Sequence, residues 1–179
     1  MIENHDAKNT RFRCWCQDQN FVVDVVSKEK RSRMMSGIKG KNTKPERQIA
    51  RMLHASGLRY RLHRKDLPAK PDLVFPKYRA VVLVHGCFWH GHDCHLFKMP
   101  QTRTEFWRTK ISSNQVRDKQ QIEQLIDDGW RVMVVWECAI KGKARLEESA
   151  LAEAMADWIK RGDKYVEFQG TKTCTDSQD

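Results

Sequence analysis

The spacing of apolar positions changes along the chain, and each change marks an element. Residues 1–26 show no clear period. "FVVDVV" is compatible with a short strand but has no support around it, so the segment reads as an extension outside the domain. "TKPERQIARMLHASG" has helical spacing, with Ile49, Met52 and Leu53 on one face. Thr43 suits the N-cap, Pro45 the first turn, Glu46 the third position of a capping box, and Gly57 the stop. "RYRLH" alternates like a strand. The run from Leu67 to Gly86 reads as a strand (Asp72–Phe75), a turn (Pro76–Tyr78) and a buried strand (Ala80–Val84). A long helix is predicted over Thr104–Asp127, with Phe106, Trp107, Ile111, Ile122, Leu125 and Ile126 as its apolar positions and Gly129 as its breaker. "WRVMVVW" is an apolar strand, and "LEESALAEAMADWIK" is a closing amphipathic helix. The order α-β-β-β-α-β-α predicts an α/β fold with helices flanking a mixed sheet.

Length and composition narrow the class. The chain has 179 residues, 40% of them hydrophobic, enough for one domain with an ordinary core. No apolar run approaches a membrane span and no secretory pattern opens the chain, so a cytoplasmic protein is expected. The formal charge of +10 favours a polyanion, most simply nucleic acid. Basic residues cluster early: Lys28, Lys30, Arg31, Arg33, Lys39, Lys41, Lys44 and Arg47 stand against Glu29 and Glu46.

The chemistry concentrates in "VHGCFWHGHDCH", Val84 to His95. Cys87, His92 and Cys94 read C-x4-H-x-C, and Cys138 follows the "WRVMVVW" strand. Thiolate and imidazole donors together favour tetrahedral zinc, and a four-ligand site of this kind is closed and structural. The competing reading is that the cysteines are merely buried. Cys14, Cys16 and Cys174 have no assigned role. His85 and His90 are expected to titrate near neutrality and to serve as general base or acid. Asp72 opens a hairpin whose second strand ends at His85. A carboxylate there can face the end of its neighbour and hold magnesium, or it can be plain turn chemistry. Glu46 is a second carboxylate, which local sequence assigns to capping. A second acid of the usual nuclease motif is missing, since the hairpin continues Leu83-Val84-His85.

Taken together, "KRSRMMSGIKGKNTKPE", "KPDLVFPKYRAVVLVHGCFWHGHDCHLFK", "TRTEFW" and "WRVMVVWECA" resemble the very short patch repair (Vsr) endonucleases from about Val25 to Lys160. The resemblance implies a restriction-endonuclease-like core with a structural zinc site. It implies magnesium-dependent nicking of one strand 5′ of the thymine in a T·G mismatch left by 5-methylcytosine deamination. The implied partners are mismatched double-stranded DNA and, functionally, a cytosine-5 methyltransferase and mismatch-repair proteins; a monomer is expected. Carried over by residue, Asp72 and the Val84 backbone carbonyl hold magnesium. His90 activates water, His85 supports it near the scissile phosphate, and Glu46 orients water at the metal. Cys87, His92, Cys94 and Cys138 are the zinc ligands. Phe88, Trp89 and Trp107 enter the DNA stack, Met35 reaches in from the other groove, and Lys110 and Asn114 contact the mismatched pair. Gly91 and Asp93 stand where histidines are common in the family. The expected organisation is an extension (1–24) that is dispensable and mobile, an endonuclease domain (25–165) and a tail (166–179). Two other readings remain at this level: a restriction-type enzyme of the same fold that cuts intact sites, and a zinc-stabilised DNA-binding module without catalysis.

Overall fold

The computed structural model describes residues 27–37 and 41–171; the side chains of Lys28, Arg31, Met34 and Met35 lie outside it. The expectation for residues 1–24 and the three terminal cysteines therefore fall outside the described residues, as does the side chain of Met35. The elements are α1 (Lys28–Ser36), α2 (Lys44–Ala55), β1 (Arg61–Leu62), β2 (Leu73–Phe75), β3 (Ala80–His85), α3 (Thr104–Asp127), β4 (Arg131–Trp136), α4 (Glu148–Arg161) and β5 (Tyr165–Phe168). They build one five-stranded sheet in the order β1-β2-β3-β4-β5. The pairs β1-β2 and β2-β3 are antiparallel, whereas β3-β4 and β4-β5 are parallel.

The two central strands are apolar on both faces because each face carries helices. Ala80 and Val82 of β3 and Met133 and Val135 of β4 point into a core with Ile49 and Leu53 of α2 and Leu151, Met155 and Ile159 of α4. The alternate residues Val81, Leu83, Val132 and Val134 meet Leu125 of α3 on the opposite face. This mixed sheet between helices is a restriction-endonuclease-like core. Among the described residues no helix is long and apolar enough to cross a membrane.

The periodicity missed two elements. α1 (KEKRSRMMS) has no apolar stripe, so nothing in its pattern announces a helix. β5 is four residues long and half exposed, yet it pairs with β4 from Val132 to Val135. Residues 166–168, read from sequence as tail, thus belong to the sheet. Phe106, expected to face the core, is 49% exposed.

Two arginines lock helix ends to the sheet. Arg79, in a left-handed conformation at φ 46°, donates to Asp128 O (2.8 Å) and Gly129 O (3.2 Å) just beyond α3. Arg131 donates to Trp158 O (3.0 Å), Ile159 O (2.5 Å) and Gly162 O (2.9 Å) at the end of α4, and to Tyr78 O (2.9 Å). A cation satisfies carbonyls that a helix end leaves without partners. Arg131→Ala should destabilise the protein by about 2–3 kcal/mol, read as a lower urea midpoint at unchanged slope. Arg131→Lys should recover only part of this, because one ammonium cannot span the same carbonyls.

Candidate metal centre and nuclease site

The parallel pairing of β3 and β4 places His85 beside Trp136, so the segments leaving both strands emerge together. Cys87 lies two residues beyond β3 and Cys138 two beyond β4, and both are buried. The loop after β3 turns back through hydrogen bonds from Trp89 N and His90 N to Gly86 O and from His92 N to Cys87 O. Those turns bring His92 and Cys94 to the two strand ends. One donor atom from each of Cys87, His92, Cys94 and Cys138 lies within 4.8 Å of every other.

The surroundings suit a metal. His92 Nε2 is 2.8 Å from Gln169 Oε1, which leaves Nδ1, 3.6 Å from Cys138 Sγ, for the ion. The imidazole stacks on Trp136 at 4.1 Å, and Gly170 N donates to Cys138 Sγ at 3.3 Å. Such outer contacts fix ligand orientation. A Cβ at Gly170 would come within 2.6 Å of Cys138 O and 2.7 Å of Ala144 O, so that approach requires glycine. Burial pushes the Cys87 and Cys138 thiols up, against hydrogen bonds that favour the thiolates; a bound cation reverses that balance. In geometry and donor type the cluster is consistent with a structural metal site.

The catalytic candidates line a separate cleft of about 1190 Å³, whose walls include Glu46, Asp72, Val84, His85, His90 and Asp118. The hairpin delivers Asp72 as its sequence position predicts: Asp72 Oδ2 accepts from Val84 N at 2.8 Å. Glu46 performs the capping role. Its carboxylate accepts from Thr43 Oγ1 (2.7 Å) and Asn42 N (2.8 Å), while its own N–H donates to Thr43 Oγ1 (3.4 Å). It also stands in a second possible metal group, Glu46–His63–Asp72. His63, absent from the sequence reading, has Nε2 3.9 Å from Glu46 and Nδ1 3.9 Å from Asp72. Its backbone holds φ 47°, with its N–H on Asp72 O at 3.3 Å. An apolar alternation around it hid the residue, since "RYRLH" reads only as a strand.

His90 Nδ1 lies 2.5 Å from Asp118 Oδ2 of α3. Burial acts to raise the Asp118 pKa, but the His90 hydrogen bond and the charges of His90 and Arg117 outweigh it, so the carboxyl sits below its usual range. An ionised Asp118 takes its hydrogen bond from Nδ1, so Nε2 is the ring nitrogen left to exchange a proton. Asp118 was not predicted, because an acid on a charged helix face carries no local signal. His85 stacks on His90 at 3.9 Å and 3°. Burial, and then the neighbouring His90, push His85 down to about 3 despite Asp118, which corrects the expectation that it titrates near neutrality.

Phe88, Trp89 and Trp107 belong to neither core cluster. They form a half-buried aromatic patch with centroids 5.2 Å (Phe88–Trp89), 5.3 Å (Phe88–Trp107) and 6.1 Å (Trp89–Trp107) apart. Lys110 is exposed on α3. Asn114 is buried rather than at the surface: Nδ2 donates to Trp89 O at 2.8 Å and Oδ1 accepts from Arg117 at 3.0 Å, so it braces the aromatic loop. The space that a side chain at Gly91 would need is filled by Ile111 and Gln115, both at 2.6 Å from a built Cβ.

The fold and these clusters define a restriction-endonuclease-like protein with a structural metal site beside a carboxylate–histidine cleft. A family model described as "DNA mismatch endonuclease Vsr" matches residues 23–96. The chain is 46% identical over 138 residues to the DNA mismatch endonuclease Vsr of Escherichia coli (strain K12), covering 77% of this chain and 88% of that protein. It is 46% identical over 126 residues to the type II nicking enzyme V.XorIIP of Xanthomonas oryzae pv. oryzae (70% and 93% covered). It is 42% identical over 127 residues to the type II nicking enzyme V.NmeAIP of Neisseria meningitidis serogroup A (71% and 91%). The chain belongs to the Vsr family of very-short-patch-repair nicking endonucleases.

Burial, and then Glu46, raise Asp72 well above the usual carboxylate range, to about 7, against the opposing Val84 hydrogen bond. A raised carboxylate favours folding only while protonated. Its contribution is therefore lost as pH rises from about 4 through about 7. Asp72→Asn should thus be more stable than the parent by roughly 2–4 kcal/mol at pH 8, with the difference vanishing near pH 4. Paired urea titrations across this range check it; a constant difference would contradict it.

Proposed function

We propose that this chain nicks one strand of duplex DNA 5′ of the thymine in a T·G mismatch arising from 5-methylcytosine deamination, with magnesium as catalytic cofactor and zinc in the cysteine cluster. The observation that carries the reading is the loop after β3. It bears the aromatic patch (Phe88, Trp89), the histidine of the dyad (His90) and metal-site donors (Cys87, His92) in immediate succession. The names of the relatives, a mismatch endonuclease and nicking enzymes, support the same reading. A cytosine-5 methyltransferase that generates the lesion precursor and mismatch-repair proteins are the functional partners proposed with it.

Asp72, Glu46 and the Val84 carbonyl are oxygen donors of the kind magnesium prefers. When bound, such an ion stabilises negative charge on the phosphate and the leaving oxygen. The protein's own groups do the remainder. His90 Nε2 takes a proton from the attacking water as its oxygen bonds to phosphorus. Asp118 stabilises the imidazolium that forms and holds the ring in its productive tautomer. His85, kept neutral by burial, flanks the phosphate without adding charge. The bond from phosphorus to the leaving oxygen then breaks, that oxygen takes a proton from solvent, and His90 returns its proton to solvent.

Recognition uses deformability. A wobble pair resists unstacking less than a matched pair, and apolar wedges unstack a step for a few kcal/mol. Phe88, Trp89 and Trp107 supply the wedge. Met35 is proposed to enter from the opposite groove, and Lys110 to contact the mismatched region. Asn114, buried beneath Trp89, acts by holding the wedge. Lys30 and Arg33, exposed on α1, add phosphate contacts.

Nicking of a T·G duplex with its T·A control, in magnesium, tests the assignment. Strand-specific cleavage of the T·G duplex alone is expected; double-strand cutting of the matched duplex would favour a restriction-type enzyme instead. His90→Gln should slow nicking by roughly 10²–10⁴-fold with T·G binding retained. Phe88→Ala with Trp89→Ala should leave melting temperature and zinc content near those of the parent while T·G preference collapses. A large loss of stability with preference retained would make these residues core instead.

A further inference from the structure

We propose that His85, His90 and Asp118 form a second transition-metal site, for a borderline divalent ion such as zinc, whose occupation turns hydrolysis off. The inhibitory consequence rests on the hydrolytic role proposed above for His90; the binding itself does not.

One ligand atom from each of these residues lies within 4.8 Å of the other two. Two imidazoles and one carboxylate are the donor set that zinc, cobalt and nickel accept, and that magnesium and calcium do not select. Ligands on a tetrahedral zinc stand about 3.3 Å apart for bonds of about 2.0 Å, so small side-chain rotations close the site. His85 is the independent indication. Only 8% of it is exposed, and no hydrogen bond to its ring occurs among the described residues. Its ring nitrogens are not among the sealed, unpartnered polar atoms of the described residues, so they stay open to a ligand from the cavities His85 lines. Because imidazole lone pairs lie in the ring planes, one ring of the 3.9 Å stack with His90 must tilt out of parallel for both nitrogens to meet one ion.

The exchange balances simply. His90 and Asp118 share one proton in the dyad, at 2.5 Å. The cation replaces that proton, which leaves to solvent, and gains His85 as a further ligand. His90 then has no proton acceptor to offer water. Access does not depend on the DNA-facing cleft, because the three residues also line a second cavity of about 580 Å³ between α3 and the sheet, with Ile122, Trp136 and Tyr165 on its walls. An ion can therefore reach the dyad from behind.

Cobalt(II), which has visible d–d absorption, is the probe. It is titrated into zinc-loaded protein, in which the cysteine cluster is filled, with magnesium in excess to occupy the Glu46–His63–Asp72 group. The parent should take up one added equivalent with nitrogen and oxygen ligation. Asp118→Asn and His85→Gln should each weaken that uptake by about tenfold or more, and Asp72→Asn should leave it unchanged. Melting curves establish that each variant is folded, and His90→Gln serves as the alternative lesion if one is not. No added equivalent, or uptake abolished by Asp72→Asn and retained in Asp118→Asn, would overturn the site. In the second arm, zinc added to magnesium-supported nicking should suppress it over the concentrations at which zinc displaces the cobalt. A filled site with undiminished nicking would overturn the inhibitory role. If no duplex is nicked at all, the hydrolytic reading and its inhibition fall together, and the cobalt arm still decides the site.

Discussion

The arrangement of this molecule depends on one closure: four metal-type donors gather where two parallel strands end. Parallel strands deliver their C-terminal ends to the same edge of a sheet, and loops that leave this edge are otherwise free to diverge. Cys87 and Cys138, one beyond each strand, with His92 and Cys94 from the returning loop, tie that edge together. The four residues from Phe88 to Gly91 are thereby held as a short span between the ligands Cys87 and His92. A wedge and a proton acceptor both require such a mount, because a mobile loop would fold its aromatics onto the protein and lose the register with the phosphate.

The cleft behind that span separates two kinds of electrostatics. On one side, burial and then Glu46 raise Asp72 to about 7 against the hydrogen bond from Val84 N. On the other, the His90–Asp118 pair is already satisfied, and His85 is kept uncharged beside it. The proposed division of labour follows from these environments: oxygen donors gather a hard cation, and an oriented imidazole moves a proton. In the proposed mechanism a chain without the usual second acid of nucleases places its chemistry on a backbone carbonyl and histidines.

Much of this was legible in the sequence. Periodicity located α2, the β2–β3 hairpin, α3 and β4, because each carries buried side chains at a fixed period. The density of Cys and His in Val84–His95 exposed the metal cluster. What escaped lacked a local signal. α1 has no apolar stripe, and β5 is held by pairing rather than by pattern. His63 and Asp118 join their clusters only through tertiary contacts, from a strand end and a helix distant in sequence. Asn114, which the family resemblance places at the mismatched pair, is buried and donates to Trp89 O, a tertiary contact that no local pattern announces.

The central claim is that the metal cluster keeps wedge and base in register. It is tested most directly by amide hydrogen exchange with and without removal of the bound metal by a strong chelator. The account predicts that protection falls sharply in residues 86–95, 137–140 and 169–171, that β3 and β4 (80–85 and 131–136) stay protected, and that T·G nicking disappears until zinc is restored. Unchanged protection across 86–95 with nicking intact after the metal is gone would contradict it.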